Sequence, residues 1–590
     1  MVASFSARRA PYGGKFPAKQ IPPWEIRAPQ HACGAEPNAC SGRPTVSHNP
    51  ERLQLTRSDP EAAKSDGSDH GDDPTLAEID TVAEVPLKNA GHSSHSVKQK
   101  IFSASLWSVL SNVGVQGASF IIFMILAREL SPVDFGLVAL AGAFIDLTRG
   151  VMLGGIPEAL IQRPTWRDAA ANTAFWLNVI GSVVFIALIG LIASGAYVLG
   201  QSSLVWAVLC ALSATLLIDG LRAVHEARLR REFRYKQLAA RSVFAAILGG
   251  VIGVALAFAG WGVWALVASR VMTSCLQTVI VWSATSYRPR LQLERQEIGP
   301  LLRFSSAVLM GRLAGQLNSR LADIVLGLVA GPAVLGLYRV GSRSLGFIIQ
   351  ATITPLQTTT LSAFSRLQDP TAQARAYIRF TQVTAALTFP IFIGSAVIAD
   401  DFITTFFGAK WSSSAIVMVI LACSVVPITL SYFFQPAMQA RGRPKAVIRP
   451  EMTKVGVGAV ILSIASTFGL VAAAAGETAR RYIMLPQTLW VLRKELQISP
   501  LALLKGIAPP LLCSTVMAAM TLVANRLFWP DAAPLVAIGM YVAVAAPIYV
   551  GGMIVFANRY TMDIFHSLRN GLPAPLRRVG DFALRRRSNP

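Results

Sequence analysis

The sequence predicts an all-α polytopic membrane protein. Its 590 residues are 53% hydrophobic, whereas soluble domains are about 45–50% apolar even when Gly is counted. The excess lies after residue 100, in repeated apolar runs that reach the ~20 residues needed to cross a bilayer. The loops between the runs are alternately basic and nearly uncharged, as expected where cytoplasmic loops retain Lys and Arg.

We expect about fourteen transmembrane helices on the criterion of ~20 residues for each span. The expected spans are 104–127, 134–157, 172–195, 203–223, 240–260, 262–283, 304–330, 334–358, 380–400, 413–438, 452–475, 478–492, 502–527 and 533–557. The charged residues around Gly476–Arg481 make the eleventh and twelfth spans difficult to delimit.

The formal net charge of +22 would suggest nucleic acid as a partner in a soluble protein. Here the basic residues lie mainly in short loops and in the C-terminal tail, without a zinc spacing or a recognition-helix motif, so we expect no nucleic acid. Membrane lipids are the expected surroundings, with both termini cytoplasmic. The basic segment Arg222–Arg241 is either an ordinary cytoplasmic loop or an amphipathic helix lying on lipid headgroups.

The chain divides into five expected regions. The predicted domains are a disordered cytoplasmic extension (1–100), an N-terminal transmembrane lobe (101–300), a C-terminal transmembrane lobe (301–498), two further helices (499–560) and a basic cytoplasmic tail (561–590). The extension lacks apolar periodicity. Because the first apolar run begins near Ile101, no signal peptide is expected.

No metal or cofactor is expected. Cys33 and Cys40, with His31, do not have a standard zinc spacing. The other cysteines stand singly in apolar helices. The sequence also lacks a Lys-Ser/Thr phosphate loop and a Gly-x-Ser-x-Gly elbow, which argues against an ATPase or a serine hydrolase.

An internal repeat links the two halves. Ser131-Pro-Val-Asp-Phe-Gly-Leu137 returns 200 positions later as Gly331-Pro-Ala-Val-Leu-Gly-Leu337. Pro and Gly at these places fit a tight turn between antiparallel helices. Gln116 matches Gln316 at the same offset, and Asn112 falls opposite Arg312. Either chance with common turn chemistry, or two related halves as in many transporters, would produce this pattern.

Ionisable residues inside the expected spans are the main functional signal, because a charge in hydrocarbon costs at least ~2.5–3.5 kcal/mol. They should face the bundle interior or a wet cavity. Asp146/Arg149, Asp219/Arg222 and Arg320/Asp323 are each three residues apart, so each pair could neutralise itself. Arg270, Arg312, Arg339 and Arg343 have no acid within one turn. We therefore expect these four arginines to be unpaired. Unpaired arginines favour an anionic ligand, since guanidinium binds two phosphate oxygens at once.

Four segments resemble the polysaccharide-transporter family, the lipid-linked oligosaccharide flippases of the multidrug/oligosaccharidyl-lipid/polysaccharide exporter superfamily. The segments are Ser105-Leu-Trp-Ser-Val-Leu110 with Ala127–Leu137, then Gly154–Gln162, Arg231–Tyr235 and Ala479–Pro486. The resemblance covers about residues 101–560. It implies two six-helix lobes around a central cavity, with two additional C-terminal helices.

The resemblance also implies a function. It implies that polyprenyl-diphosphate-linked oligosaccharide repeat units cross the bacterial inner membrane by alternating access, for lipopolysaccharide or exopolysaccharide biosynthesis. Polysaccharide polymerase or export machinery is the expected kind of protein partner. By depth and helix face, the candidates for the substrate diphosphate are Arg149, Arg270, Arg312, Arg320, Arg339 and Arg343. Asp146 and Asp323 are candidate coupling acids for protons or sodium, and Asn112, Gln116 and Gln316 are candidate polar residues of the cavity.

Two alternatives stay open. A drug or metabolite antiporter of the same superfamily would have a more apolar and acidic cavity than these arginines suggest. The second alternative is an enzyme that acts on the same lipid: a membrane glycosyltransferase, polymerase or ligase. Asp400-Asp401 is a carboxylate pair of the kind that a glycosyltransferase would use. The short expected outer loops argue against such an enzyme, so a non-enzymatic transporter is the prediction.

Overall fold

The computed structural model describes residues 114–198, 203–354, 360, 363–367, 369–443, 445–528 and 532–556. The regular secondary structure of these residues is helical throughout, which confirms the predicted all-α class. The expected N-terminal extension, the C-terminal tail and Asn112 lie outside the described residues.

The helices are named in chain order. They are α1 (114–129), α2 (Pro132–Met152), α3 (Ile156–Gln162), α4 (Asp168–Val198), α5 (Ser203–Arg231), α6 (Tyr235–Phe258), α7 (Val263–Ala284), α8 (Arg295–Val329), α9 (Pro332–Thr352), α10 (Pro370–Val397), α11 (Ala399–Phe407), α12 (Ser413–Ala422), α13 (Val425–Ser431), α14 (Phe434–Ala440), α15 (Lys445–Thr467), α16 (Leu470–Leu496), α17 (Pro500–Phe528) and α18 (Pro534–Phe556). A 3-10 turn, Ala409–Trp411, lies between α11 and α12.

Every predicted span overlaps a helix in the described part of the chain, and three of the spans contain a break or a bend. The second span is interrupted after Met152, and the tenth is bent by 46° between Ser413–Ala422 and Val425–Ala440. The eleventh ends at Thr467, not at 475, because Gly469 has φ 93° and a new helix begins at Leu470. A glycine at positive φ ends a helix without steric cost.

Eight helices within the described residues are long and apolar enough to cross a membrane, and a ninth if the bent pair is one span. The charged helices α8 and α16 are not among these eight. A count based on apolarity therefore falls below the expected fourteen, because several helices carry ionisable groups toward the interior.

The suggestion of a separate surface helix at Arg222–Arg241 is wrong. Residue 222 lies within α5, which continues to Arg231, and α6 begins at Tyr235 after a short turn. Arg241 is 8% exposed and bonds Glu226 at 3.0 Å. The segment is thus a helical hairpin in which Arg228, Arg230, Arg234 and Arg241 pair with carboxylates, whereas Arg231 donates to the carbonyls of Leu160 and Pro164.

The two copies of the internal repeat lie against each other. A Cβ on Gly136 would lie 1.7 Å from the carbonyl oxygen of Pro332, and one on Gly336 would lie 1.9 Å from that of Pro132. This reciprocal crossing joins α2 to α9. It supports the prediction of two related halves, because each repeat makes the same contact with the other.

Helices α4 and α5 pack as a pair, as do α6 and α7, and α5 packs on both α7 and α2. In the other group, α8 packs on α15, α15 on α16, and α9 on α12. The last two helices, α17 and α18, pack on each other, and α17 packs on α10. The α2–α9 crossing, together with α2 against α8, is where the two groups meet. Residues of α2 or α9 line each of the three cavities described below.

Aromatic side chains close the bundle beside the crossing. Phe123 contacts Phe135 edge-on at 5.2 Å, and Phe135 contacts Trp411 in the same manner at 5.4 Å. The indole of Trp411 is fully buried and its Nε1 donates to the carbonyl of Ala127 at 2.8 Å. Edge-to-face pairs are worth ~0.5–1.5 kcal/mol beyond burial, so these contacts hold α1, α2 and the 3-10 turn together at this end of the bundle.

Candidate functional site: a chain of arginine cavities

Three neighbouring cavities share wall residues. The Glu158 cavity, about 470 Å³, is lined by Asp146, Arg149, Glu158, Asp219, Arg222, Gln316, Arg320 and Arg312. The Arg343 cavity, about 430 Å³, is lined by Ser119, Phe123, Arg149, Arg222, Arg270, Gln277, Arg339 and Arg343. The Glu477 cavity, about 360 Å³, is lined by Asn318, Asp323, Tyr338, Arg339, Lys454, Glu477, Arg480 and Arg481.

Shared arginines connect these spaces. Arg149 and Arg222 line both the Glu158 and the Arg343 cavities. Arg339 lines both the Arg343 and the Glu477 cavities. Each volume falls within the ~300–1,000 Å³ typical of small-molecule sites. Together they form a polar path through helices that otherwise have apolar surfaces.

Asp146 on α2 pairs with three of the arginines that line the path. Its Oδ1 accepts from Arg149 at 3.3 Å and from Arg270, while its Oδ2 pairs with Arg320 at 2.8 Å. The carboxylate is 11% exposed. Three helices are therefore connected through one acid, since Arg270 lies on α7 and Arg320 on α8.

A second carboxylate continues the network into α5. Asp219 is fully buried, and its two oxygens pair with Arg149 at 2.6 Å and Arg222 at 3.0 Å. Arg222 also donates to the side-chain amide oxygen of Gln277. A charge at such a position is stable only when paired and hydrogen-bonded.

Asp323 on α8 extends the network toward α9. It pairs with Arg339 at 3.2 Å and with Arg320 at 3.6 Å. The predicted self-neutralising pairs at three-residue spacing all form, at 3.3, 3.0 and 3.6 Å. Each also reaches a second helix, which sequence spacing alone does not reveal.

The expectation that Arg270, Arg312 and Arg339 lack acidic partners is wrong. Arg270 pairs with Asp146, Arg339 with Asp323, and Arg312 with Glu158 at 2.8 Å. Each acid comes from another helix, so the sequence could not show it. Arg312 is also 62% exposed, which places it at the mouth of the Glu158 cavity.

Arg343 differs from the others. In the described part of the chain no carboxylate pairs with it, and its guanidinium lies over the ring of Phe123, 4.6 Å from the centroid. Cation–π contacts satisfy a guanidinium face but leave its in-plane donors available. Arg343 is thus the one cavity arginine for which the expectation of an unpaired charge holds among these residues.

Positive charge exceeds negative charge along the path. Eight arginines line the Glu158 and Arg343 cavities, and five carboxylates pair with them, an excess of three charges. The carboxylates are Asp146, Glu158, Asp219, Glu226 and Asp323, and the arginines are Arg149, Arg222, Arg230, Arg270, Arg312, Arg320, Arg339 and Arg343. The arrangement can therefore hold a multiply charged anion while the carboxylates keep the empty site stable.

Of the three polar residues predicted to line the cavity, the structure places one in a cavity wall. Gln316 lines the Glu158 cavity and its Nε2 donates to the carbonyl of Asp146 at 3.4 Å. Gln116 is partly buried in α1 and is not among the wall residues of the three cavities. Asn112 lies outside the described residues.

Sequence reasoning missed the role of Arg222 and the whole Glu477 cavity. The sequence pairs Arg222 only with Asp219, yet this residue lines two cavities. The charges of Glu477, Arg480 and Arg481 only obscure a span boundary in the sequence, although these residues lie in the first half of the 27-residue α16. An acid followed at three and four residues by arginines was the available signal.

Comparisons with known proteins agree with this architecture. Residues 125–416 match the family described as "Polysaccharide biosynthesis protein". The succinoglycan biosynthesis transport protein ExoT of Rhizobium meliloti (strain 1021) is 26% identical over 57% of this chain and 68% of the relative. The lipopolysaccharide biosynthesis protein WzxC of Escherichia coli (strain K12) is 25% identical over 55% and 67%.

Among solved structures, "Lipid II flippase MurJ, inward closed conformation" superposes with a TM-score of 0.63, 14% identity, and coverage of 78% of this chain and 99% of that one. The similarity shows the fold, which is that of a polytopic membrane transporter. The matched family and the aligned relatives confirm the resemblance to the polysaccharide-transporter family that the sequence motifs indicated.

Proposed function

We propose that the protein is a flippase that translocates polyprenyl-diphosphate-linked oligosaccharide repeat units across the bacterial inner membrane for surface polysaccharide biosynthesis. The observation that carries this proposal is the excess of three positive charges along connected cavities in the membrane-spanning bundle. An apolar drug or a neutral metabolite would gain nothing from that excess.

The diphosphate would be held by Arg149, Arg270, Arg320, Arg339 and Arg343, with Arg312 at the entrance. Guanidinium groups stay charged and bind phosphate oxygens in a bidentate manner. Existing carboxylate partners do not prevent this, since Asp146 already divides its oxygens among three arginines. An arriving phosphate can replace one of these contacts without leaving a buried charge unpaired.

The lipid tail has a suitable environment beside the C-terminal helices. A cavity of about 390 Å³ between α10, α17 and α18 is lined by apolar side chains, with Ile348, Pro390, Tyr541 and Tyr549 among them. Its wall offers few polar atoms because the Tyr549 hydroxyl donates to the carbonyl of Ala386. A polyprenyl chain gains free energy from such a surface.

Alternating access would rock the two groups of helices about the α2–α9 contact. The aromatic closure beside Trp411 corresponds to a state closed at that end, and the exposed Arg312 marks the open end. Asp146 and Asp323 remain the proposed coupling acids for protons or sodium. Each would act by exchanging an arginine partner for the coupling ion.

The proposed setting follows from the loop charges. We place the protein in the inner membrane with both termini cytoplasmic. Its chain has five regions, divided at residues 100, 300, 498 and 560. Its protein partners are polymerase or export machinery. Basic loops on one side support the orientation. The relatives are named for transport or polysaccharide biosynthesis, which favours a flippase over an antiporter or a glycosyltransferase.

The test is depletion of the protein in its host, followed by analysis of lipid-linked glycans. A flippase defect leaves complete repeat units attached to lipid and facing the cytoplasm. A glycosyltransferase or polymerase defect instead changes the glycan on the lipid, and that outcome would overturn the proposal. An antiporter defect would leave both the amount and the sidedness of the lipid-linked glycan unchanged.

A further inference from the structure

The Glu477 cavity contains a buried network that the diphosphate site does not use. Glu477 is 3% exposed. Its two oxygens accept from Arg480 at 2.6 and 2.9 Å, and Oε1 also accepts from Arg481 at 3.1 Å. One carboxylate is therefore shared by two guanidinium groups, which leaves a surplus positive charge in this wall.

The network continues across two further helices. Arg480 donates to Asn318 Oδ1 at 2.5 Å, and Asn318 Nδ2 donates to Glu451 at 3.3 Å. Glu451 in turn pairs with Lys454 at 2.7 Å. Charges alternate along this chain from Lys454 to Arg481, and both ends are cations. Three cations and two carboxylates give the network a net charge of one.

Both terminal cations line the cavity with donors to spare. Arg481 is 33% exposed and bonds Glu477 and the hydroxyl of Ser424 at 3.1 Å. Its remaining amino nitrogen has no partner within the described residues. Lys454 bonds one carboxylate, although an ammonium carries three donors. Other parts of the wall present hydroxyl groups, such as that of Ser342.

The side chains of the cavity wall indicate which class of ligand the cavity can bind. A surplus of one positive charge matches a single carboxylate, and hydroxyl and amide groups match a polyhydroxylated body. Tyr338 and Met484 add apolar surface for sugar C–H faces. Arg339, which also lines the Arg343 cavity, places this space next to the proposed diphosphate site. Sugars attached to a lipid diphosphate would reach it.

We propose that the Glu477 cavity is a glycan subsite that binds a carboxylate-bearing sugar of the repeat unit, with Arg481 and Lys454 as its anion-binding residues. This inference rests on the proposed flippase function. It adds selection by sugar charge: acidic repeat units are transferred faster than their neutral counterparts, because only they use the surplus charge.

The experiment compares two substrates in proteoliposomes containing the full chain. One is a polyprenyl-diphosphate oligosaccharide that contains a uronic acid, and the other is the same lipid with its carboxyl group reduced to an alcohol. Wild-type protein should transfer the acidic lipid about tenfold faster, the ratio for ~1.4 kcal/mol. Lys454→Gln and Arg481→Gln should lower that ratio toward one while transfer of the neutral lipid continues.

Two controls separate the possible failures. Arg481→Lys keeps the charge and should keep most of the preference. Arg443→Gln removes a 61% exposed guanidinium that pairs with Glu495 away from the cavities, and should change neither rate. Equal rates for both lipids with wild-type protein would overturn the glycan subsite alone. Transfer of neither lipid would contradict the flippase function itself.

Discussion

The guanidinium of Arg343 lies 4.6 Å from the ring centroid of Phe123, and so an arginine of α9 rests on an aromatic residue of α1. This contact brings the cationic path and the aromatic closure together. Phe123 also packs on Phe135, which packs on Trp411. An anion that draws Arg343 away from Phe123 would loosen the closed end of the bundle.

Replacing Arg343 with Gln should weaken binding of a polyprenyl diphosphate. A hydrogen bond to a charged group is worth ~1.5–3 kcal/mol, so the Kd should rise about 10- to 150-fold. Binding to detergent-solubilised protein measures this directly. Arg343→Lys should recover only part of the affinity, because an ammonium lacks the planar pair of donors. An unchanged Kd for Arg343→Gln would remove this residue from the site.

Gly136→Ala should destabilise the closed end of the bundle. The new Cβ would lie 1.7 Å from the Pro332 carbonyl oxygen, and relieving such overpacking costs ~1–3 kcal/mol. We expect a lower Tm of the solubilised protein. Gly190→Ala is the matched control because a Cβ there would have nothing within 4 Å. Equal Tm values for the two variants would show that the α2–α9 crossing is not tight.

Asp146→Asn should be among the most damaging single substitutions. It removes the carboxylate that pairs with Arg149, Arg270 and Arg320, and breaking a buried pair costs ~3–5 kcal/mol. Folded yield and Tm report the loss. Adding Arg270→Gln to Asp146→Asn removes one unpaired charge, so it should restore part of the stability. If the double variant loses as much stability as the two single variants lose together, Asp146 and Arg270 do not stabilise each other and this prediction is contradicted.

The general architecture could be predicted from the sequence because length and apolarity determine which segments span a membrane. The repeat of Pro132 and Gly136 at Pro332 and Gly336 was visible in the sequence. The expectation that its glycines form a tight turn is wrong, because both lie inside helices, where they permit the close backbone approach of α2 and α9. Boundaries were less predictable. The α15–α16 turn at Gly469 lies inside an expected span, because the charged residues of α16 obscured where one helix ends and the next begins.

The site could be predicted only in part. Acid–arginine pairs three residues apart were visible in the sequence, whereas Arg270–Asp146 joins residues 124 apart. Arg312 and Glu158 are 154 apart. Such partners depend on which helix faces pack together, and that information is not local. Arg343 alone among the four arginines without a nearby acid kept the predicted environment, again in the described part of the chain.

The most direct test of the central claim is the transfer of a labelled polyprenyl-diphosphate oligosaccharide between leaflets of proteoliposomes. We predict transfer by wild-type protein and by the surface control Arg443→Gln. The folded double variant Arg270→Gln/Arg343→Gln should transfer at the protein-free rate, because the cavity loses two of the charges that hold the diphosphate. Wild-type transfer by that double variant would contradict the claim that the cavity arginines carry the anionic headgroup.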